Sequence, residues 1–326
     1  MKAFNAVVCV VAVGVLMTIA SSVAAQQDYP SKPIRLIVPF PPGGGVNLAA
    51  RIIGQKLTEN WGQQVVVDNR PGGNSVIGSE ALVRSPPDGY TLMVTSGAHV
   101  TNPLLLPSLP YDSIKDFAPV ATVSYSQFLL TLSASVPANN LQEFIALAKS
   151  KPKQLNYASS GNGSTTHLAA EYFNILAAVK TQHIPYKGSG QALSDLISGQ
   201  VQFTFNTPST VISHIKSGKL KAIAITGESR LPTLPQVPTF TEAGLPGLDV
   251  RIWFGVLAPA GTPKEIIDKL SSEIAKILAT PDLKEKLYSQ AMEPFISTPE
   301  QFDAMTKAEI AKWTKVIKDA NIKLEK

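Results

Sequence analysis

Cysteine is almost absent from this 326-residue chain, in which Cys9 stands alone near the amino terminus. It lies in a short apolar stretch, residues 6–20, which follows Lys2 and precedes the small residues 23–25. This pattern is typical of a secretory signal peptide, so we expect residues 1–25 to be removed. A retained membrane anchor is the alternative, which the short apolar run disfavours. Removal of the peptide would leave no cysteine for disulfides, thiolate metal ligands or nucleophilic catalysis.

Charged residues are also sparse, at 16% of the chain, and the formal net charge is +5. The lysines and arginines are spread along the sequence rather than clustered, so the sequence predicts no nucleic-acid partner. A mildly positive field favours anionic small molecules. No apolar run after residue 25 is long enough to span a bilayer.

Two glycine-rich loops, 40–45 and 158–164, each stand between an apolar strand pattern and a helix pattern. The first N–H groups of a helix have no partner within it and carry a partial positive charge. Glycine lets a ligand approach such bare backbone, where carboxylate or phosphate groups bind. The two loops therefore predict one small anion that is held from two sides.

Motifs for catalysis and cofactors are missing. Neither loop continues into the Gly-Lys-Ser/Thr of a P-loop, and the second lacks the third glycine of a dinucleotide fingerprint. Ser189 is not part of a Gly-x-Ser-x-Gly elbow. None of the histidines has metal-ligand spacing; they are His99, His167, His183 and His214. We expect a non-enzyme without metal or cofactor, and we keep His167 as a ligand candidate because it follows the second loop within one helical turn.

Strand and helix patterns alternate along the chain, which predicts an α/β fold with parallel sheets and right-handed crossovers. Predicted strands are 34–38, 65–67, 91–94, 155–158, 183–184, 201–205 and 220–225. Predicted helices are 48–61, 75–83, 164–178, 191–198, 209–217 and 308–317, and Trp313 of the last is expected to anchor the core. A further helix is expected to be capped by Thr262, with Pro263 at its first position. The proline-rich stretch 231–247 is predicted to be irregular. About 300 mature residues exceed the usual size of one core, so two lobes are expected.

Several segments in chain order resemble the Bug/TctC family, the periplasmic solute-binding components of tripartite tricarboxylate transporters. They are YPSKPIRLIVPF at 29–40, DNRPG at 68–72, PDGYTL at 87–92, LPYD at 109–112, LNYASSGNGS at 155–164, PYKG at 185–188, EAGLPG at 242–247, WFG at 253–255 and APAGTP at 258–263. The resemblance covers essentially the whole mature chain.

The resemblance implies a two-lobed periplasmic binding protein of the type II-like Venus flytrap kind, with two crossings between lobes. Lobe 1 would comprise 26–126 and 227–326, and lobe 2 would comprise 127–226. Family members bind carboxylates between the lobes through main-chain N–H groups and water of two loops, which match the glycine-rich loops here. The resemblance therefore implies a monomer in the periplasm, with a small carboxylate and the membrane permease subunits as partners.

Loop residues and neighbouring polar or aromatic residues form the predicted ligand site. The set is Phe40, Pro42, Gly43, Gly44, Asn47, Ser159, Ser160, Gly161, Asn162, Gly163, Ser164, His167, Tyr186, Asn206 and Thr207. Asn206 and Thr207 follow a strand of lobe 2, at the end where ligands bind in open α/β sheets.

Asn47 departs from the family pattern, since many relatives read Gly-Gly-Gly-Thr-Asp at this loop and this chain has asparagine in place of the aspartate. Asn47 either disfavours ligands with an ammonium group or serves only as a helix-start residue. Four aromatic residues, Phe40, Tyr125, Tyr186 and Phe205, are expected to meet in the cleft. Their rings favour aromatic carboxylates slightly over linear dicarboxylates, and both over citrate or amino acids. A ligand-presenting partner of a membrane sensor kinase is the alternative function, and a secreted hydrolase is a weaker one.

Overall fold

The computed structural model describes residues 29–106 and 108–319; the predicted signal peptide lies outside these ranges. The helices are α1 (Gly45–Trp61), α2 (Val76–Val83), α3 (Ala98–Leu105), α4 (Leu141–Ser150), α5 (Thr165–Leu176), α6 (Ser189–Ser198), α7 (Pro208–Lys216), α8 (Lys264–Ala279), α9 (Pro281–Ser289) and α10 (Pro299–Asp319). The strands are β1 (Ile34–Val38), β2 (Val65–Asn69), β3 (Thr91–Thr95), β4 (Phe117–Gln127), β5 (Leu129–Ser133), β6 (Asn156–Ser159), β7 (Gln182–Pro185), β8 (Phe203–Asn206), β9 (Leu220–Ile225), β10 (Arg251–Pro259) and β11 (Glu293–Pro294).

The strands form two sheets. The first has the order β11-β4-β10-β3-β1-β2 and the second has the order β7-β6-β8-β5-β9. Parallel pairing, which the strand–helix alternation predicts, joins β1–β2, β1–β3, β6–β7 and β6–β8. Each sheet also contains antiparallel pairs. In the first sheet β10 is antiparallel to β3 and β4, and β11 is antiparallel to β4. In the second sheet β5 is antiparallel to β8 and β9. The sheets are therefore mixed and not purely parallel.

Local chemistry explains where elements begin and end. Strand β1 buries its apolar residues, while the guanidinium of Arg35 pairs with the Asp68 carboxylate at 2.7 Å. Helix α1 ends at Gly62, whose φ of 68° suits the left-handed cap that glycine adopts without strain. The prediction that Thr262 caps α8 is wrong. The Thr262 hydroxyl donates to the carbonyl of Pro259 at 2.7 Å, and Pro263 occupies the cap position.

The chain passes from the first sheet to the second between Gln127 and Leu129, and it leaves the second sheet after Ile225. The stretch 231–247 contains no helix or strand, as predicted. It packs on the second sheet. Phe240 stacks on Phe205 with ring centroids 6.0 Å apart. Strand β10 then returns to the first sheet, and the lobe limits given above stay a prediction.

Helix α10 closes the fold against β4 and α3. It begins nine residues before the predicted start, because Thr298 and Gln301 form a reciprocal cap there. The Gln301 N–H donates to the Thr298 hydroxyl at 3.2 Å, and the Thr298 N–H donates to the Gln301 side chain at 2.9 Å. Trp313 is buried, which confirms it as a core residue. Within the part of the chain that the structure describes, no helix combines the length and apolarity needed to cross a membrane.

Candidate functional site

A cleft lies between the two sheets. The first-sheet lobe contributes the loop after β1, the segment after β3 and part of β10. The second-sheet lobe contributes the starts of three helices, the residue after β6 and the end of β8. The lining residues are Phe40, Pro41, Pro42, Gly44, Gly45, Val46, Ser96, Ala98, Phe128, Ser160, Ser164, Thr165, Thr166, Gly188, Ser189, Gly190, Phe205, Asn206, Thr207, Thr210, Ile252 and Phe254.

Five helices begin at this cleft, namely α1, α3, α5, α6 and α7. Their first N–H groups have no partner within the helix; in α1 the first bonded N–H is that of Leu48, which reaches the Gly44 carbonyl. None of the five carries an acidic residue in its first turn. Among the helices that begin elsewhere, each of α4, α8, α9 and α10 carries an acidic residue in its first turn, and α2 carries none. The partial positive charge of the five helix starts is therefore left uncancelled at the cleft.

No charged side chain is found among the described residues that line the cleft. The polar side chains are hydroxyl groups and one amide, which donate hydrogen bonds without carrying charge. They are Ser96, Ser160, Ser164, Thr165, Thr166, Ser189, Asn206, Thr207 and Thr210. Such a surface offers donors to an anion and no counter-ion to a cation.

Asn206 is the most informative of these side chains. It ends strand β8, lines the cleft and is 4% exposed. Its amide nitrogen has no hydrogen-bond partner within the described residues. A buried donor without a partner costs about 1–3 kcal/mol, so this amide has a donor to offer a ligand.

The second glycine-rich loop uses several of its own N–H groups internally. The Ser160 N–H donates to the Thr166 hydroxyl at 3.0 Å, and the Gly161 N–H donates to the Ser159 hydroxyl at 3.1 Å. The Gly163 N–H donates to Nδ1 of His167 at 3.1 Å. The Ser164 N–H donates to the Gly161 carbonyl at 3.1 Å, which leaves the N–H groups of Thr165 and Thr166 free at the start of α5.

His167 lies beneath this loop and outside the cleft lining. Its ring stacks on His183 with centroids 3.9 Å apart and an angle of 6° between the planes. Burial lowers the pKa of His167 to about 4. Burial, followed by the proximity of His167, lowers the pKa of His183 to about 3. Both imidazoles are neutral near pH 7, and because Nδ1 of His167 accepts the Gly163 N–H, its proton is on Nε2.

About half of the sequence-predicted site residues line the cleft: Phe40, Pro42, Gly44, Ser160, Ser164, Asn206 and Thr207. The others lie outside its lining: Gly43, Asn47, Ser159, Gly161, Asn162, Gly163, His167 and Tyr186. Their ligand contacts stay a prediction.

Of the four aromatic rings expected to meet in the cleft, those of Tyr125 and Tyr186 lie outside its lining. The Tyr125 hydroxyl donates to Glu293 at 2.5 Å, and its ring packs on Phe295. The Tyr186 hydroxyl donates to Asp195 at 2.6 Å. Phe40 and Phe205 do line the cleft, and they are joined by two rings that the sequence analysis did not select, Phe128 and Phe254.

Two helix starts were also missed, although one had a readable signal. Gly188-Ser189-Gly190 follows β7 and opens α6, which repeats the strand–glycine–helix pattern of the two selected loops. Ser96-Gly97-Ala98 between β3 and α3 has a single glycine, and Pro103 inside α3 hides the helix.

The two lobes touch closely around the cleft at glycines. A Cβ atom on Gly97 would lie 2.6 Å from the Thr165 hydroxyl, and one on Gly188 would lie 3.0 Å from Cγ of Pro41. The Thr101 hydroxyl also donates across the gap to the carbonyl of Gly163 at 2.9 Å. Side chains at these glycines would hold the lobes apart.

Comparisons with known proteins show which family the chain resembles. The family model described as the tripartite tricarboxylate transporter family receptor matches residues 49–322. Protein BugT of Bordetella pertussis is 37% identical over 309 residues, which are 94% of this chain and 94% of BugT.

Two solved structures extend the comparison to the fold. One, described as a periplasmic transporter, has a TM-score of 0.88 and 37% identity, and the match covers 91% of this chain and 100% of that one. The other, an R. palustris protein with adipate, has a TM-score of 0.89 and 36% identity, with 91% and 99% covered. The α/β fold of a two-lobed periplasmic binding protein is thereby confirmed.

Proposed function

Because the chain belongs to the tripartite tricarboxylate transporter receptor family, we propose that it binds a small carboxylate in the periplasm, between its two lobes. The family is one of solute-binding receptors. The observation that carries the proposal is the set of five helix starts, free of acidic residues, around a cleft without a charged side chain. N–H donors and helix dipoles of this kind stabilise an anion.

The lining supports an aromatic carboxylate or a dicarboxylate as the ligand. Donors on both lobes suit a molecule with an acid group at each end, and the rings of Phe40, Phe128, Phe205 and Phe254 suit an apolar or flat body between them. An amino acid is disfavoured because its ammonium group would meet no carboxylate. The adipate bound to the similar R. palustris protein supports a dicarboxylate.

Binding would proceed by closure of the lobes around the ligand. Closure removes water, and hydrogen bonds from N–H and hydroxyl groups to a carboxylate strengthen in the drier cleft. The glycines at positions 97 and 188 let the lobes approach closely enough for this.

We infer that the chain delivers its ligand to the membrane permease subunits of a tripartite transporter and that it is not an enzyme; the description of the matching family as a transporter receptor supports this. A ligand-presenting partner of a sensor kinase would have the same cleft. Uptake of labelled ligand by cells with and without the gene distinguishes the two functions, because only the transport component is required for uptake.

Calorimetry of the mature protein with terephthalate, adipate, citrate and glutamate tests the proposal. We expect binding of terephthalate and adipate to exceed that of citrate and glutamate. Binding of glutamate or citrate alone would contradict the ligand class, and binding of none of the four would contradict carboxylate capture.

A further inference from the structure

Three side chains form a one-way series of hydrogen bonds that ends on the first glycine-rich loop. Nε of Arg51 donates to Oδ1 of Asn47 at 3.1 Å, and Nδ2 of Asn47 donates to Oδ1 of Asn69 at 3.1 Å. Nδ2 of Asn69 in turn donates to the carbonyl of Phe40 at 2.8 Å. Each asparagine therefore accepts one bond and donates another.

This series connects three elements that meet at the cleft. Asn69 ends strand β2, where it pairs with Val38 at the end of β1. Asn47 lies in the first turn of α1 and is 5% exposed, and it lies outside the cleft lining. Phe40 does line the cleft, so the bond from Asn69 fixes the backbone carbonyl of a lining residue.

We infer that Asn47 is a positioning residue, which acts on ligand binding through Asn69 and the Phe40 carbonyl rather than through charge at the ligand. The inference rests on the proposed carboxylate binding. A carboxylate at this position could accept from Arg51 and could not donate to Asn69. The Asn69 amide would then have to turn its NH₂ toward that carboxylate, so that its oxygen faced the Phe40 carbonyl and the loop lost its donor.

The two mechanisms predict different results for Asn47→Asp and Asn47→Leu, which have nearly the same shape as asparagine. If Asn47 acts by positioning, both variants lower the affinity for adipate and the affinity for hexanoate by the same factor, about five- to tenfold. Added salt then leaves that factor unchanged. If Asn47 acts through charge, only Asn47→Asp lowers the affinity. The affinity for adipate then falls more than that for hexanoate, and added salt restores it. The second pattern would overturn the inference. Gln64→Glu, which adds the same charge at an exposed position, is the matched control and should leave both affinities unchanged.

A measurement without ligand tests the series itself. Urea unfolding is compared for Asn47→Ala, Asn69→Ala and the double variant. If the two amides act through one another, the double variant loses less stability than the sum of the single losses. Strictly additive losses would refute the series. If the wild type binds none of terephthalate, adipate, citrate and glutamate, the proposed function fails, and these unfolding data still decide whether the series exists.

Discussion

Thr226 and Phe128 exchange two hydrogen bonds where the chain passes between the lobes. The Thr226 N–H donates to the Phe128 carbonyl at 2.8 Å, and the Phe128 N–H donates to the Thr226 hydroxyl at 2.8 Å. The same hydroxyl donates to the carbonyl of Val250 at 2.6 Å. One buried threonine thus joins the two connecting segments and the residue just before β10.

Replacing Thr226 by valine tests this junction. Thr226→Val keeps the shape but leaves the buried Phe128 N–H and Val250 carbonyl without partners, which should cost about 1–3 kcal/mol for each group. Thr226→Ser retains the hydroxyl and should cost clearly less. Urea unfolding measures both, and equal losses in the two variants would show that the hydroxyl is unimportant.

Gly97→Ala should hold the lobes apart. The backbone of Gly97 has φ −50°, which alanine adopts freely, while the new Cβ would lie 2.6 Å from the Thr165 hydroxyl. We expect about a tenfold loss of adipate affinity, since overpacking typically costs 1–3 kcal/mol. The double variant Gly97→Ala/Thr165→Ala should bind nearly as well as Thr165→Ala alone. Calorimetry decides this, and undiminished binding by Gly97→Ala would contradict close contact at this point.

Ser189→Asp separates stability from binding. Ser189 is the first residue of α6 and lines the cleft, so an aspartate there favours the helix by about 0.3–1 kcal/mol while it repels an anionic ligand. We expect unchanged or slightly higher stability and at least a fivefold loss of adipate affinity at low salt. Ser189→Asn has similar size without the charge and should bind better than Ser189→Asp. The prediction fails if the two variants bind equally.

Asn206→Leu should shift stability and affinity in opposite directions. Leucine has nearly the same shape and removes a buried donor that has no partner within the described residues, so the protein should be as stable as the wild type or more stable. A ligand that accepts a bond from this amide should bind about tenfold or more weakly. Thermal unfolding and calorimetry on the same samples measure both effects. A stability loss with intact affinity would assign Asn206 to the fold instead.

Stability should fall as the solution becomes mildly acidic. The pKa values of His167 and His183, about 4 and about 3, lie below the ordinary 6.5, so below pH 6.5 the unfolded chain binds more protons than the folded protein. Each histidine then contributes a decline of at most about 1.4 kcal/mol per pH unit, which levels off below its folded pKa. Urea unfolding between pH 7 and 5 avoids most carboxylate titration. His183→Gln should flatten this decline, and an identical slope in variant and wild type would exclude His183 as a cause.

Part of this architecture could be predicted from periodic patterns and caps. The apolar run of β1 and the glycine at the end of α1 are local signals, and the structure follows them. The antiparallel strands β5 and β10 could not be placed in this way, because their neighbours are far away in sequence and apolar periodicity does not specify the direction of pairing. The start of α10 did have a local signal, Thr298 with Gln301 three residues later, which lies outside the predicted range 308–317.

Part of the candidate site could likewise be predicted from the sequence, and part could not. Glycine-rich turns between strands and helices indicated two of the five helix starts at the cleft, and Gly188-Ser189-Gly190 would have indicated a third. Side-chain directions were not predictable. The hydroxyls of Tyr125 and Tyr186 reach the acidic partners Glu293 and Asp195, and no pattern near either tyrosine reports those partners.

The absence of charged side chains from the lining residues that the structure describes has a consequence for unloading. The lining offers backbone N–H groups, hydroxyls and one amide, none of which gains or loses a proton between pH 5 and pH 8. Across that range, a fall in external pH would neutralise none of these lining groups. If an anion binds as proposed, separation of the lobes and the return of water to the helix starts would release it.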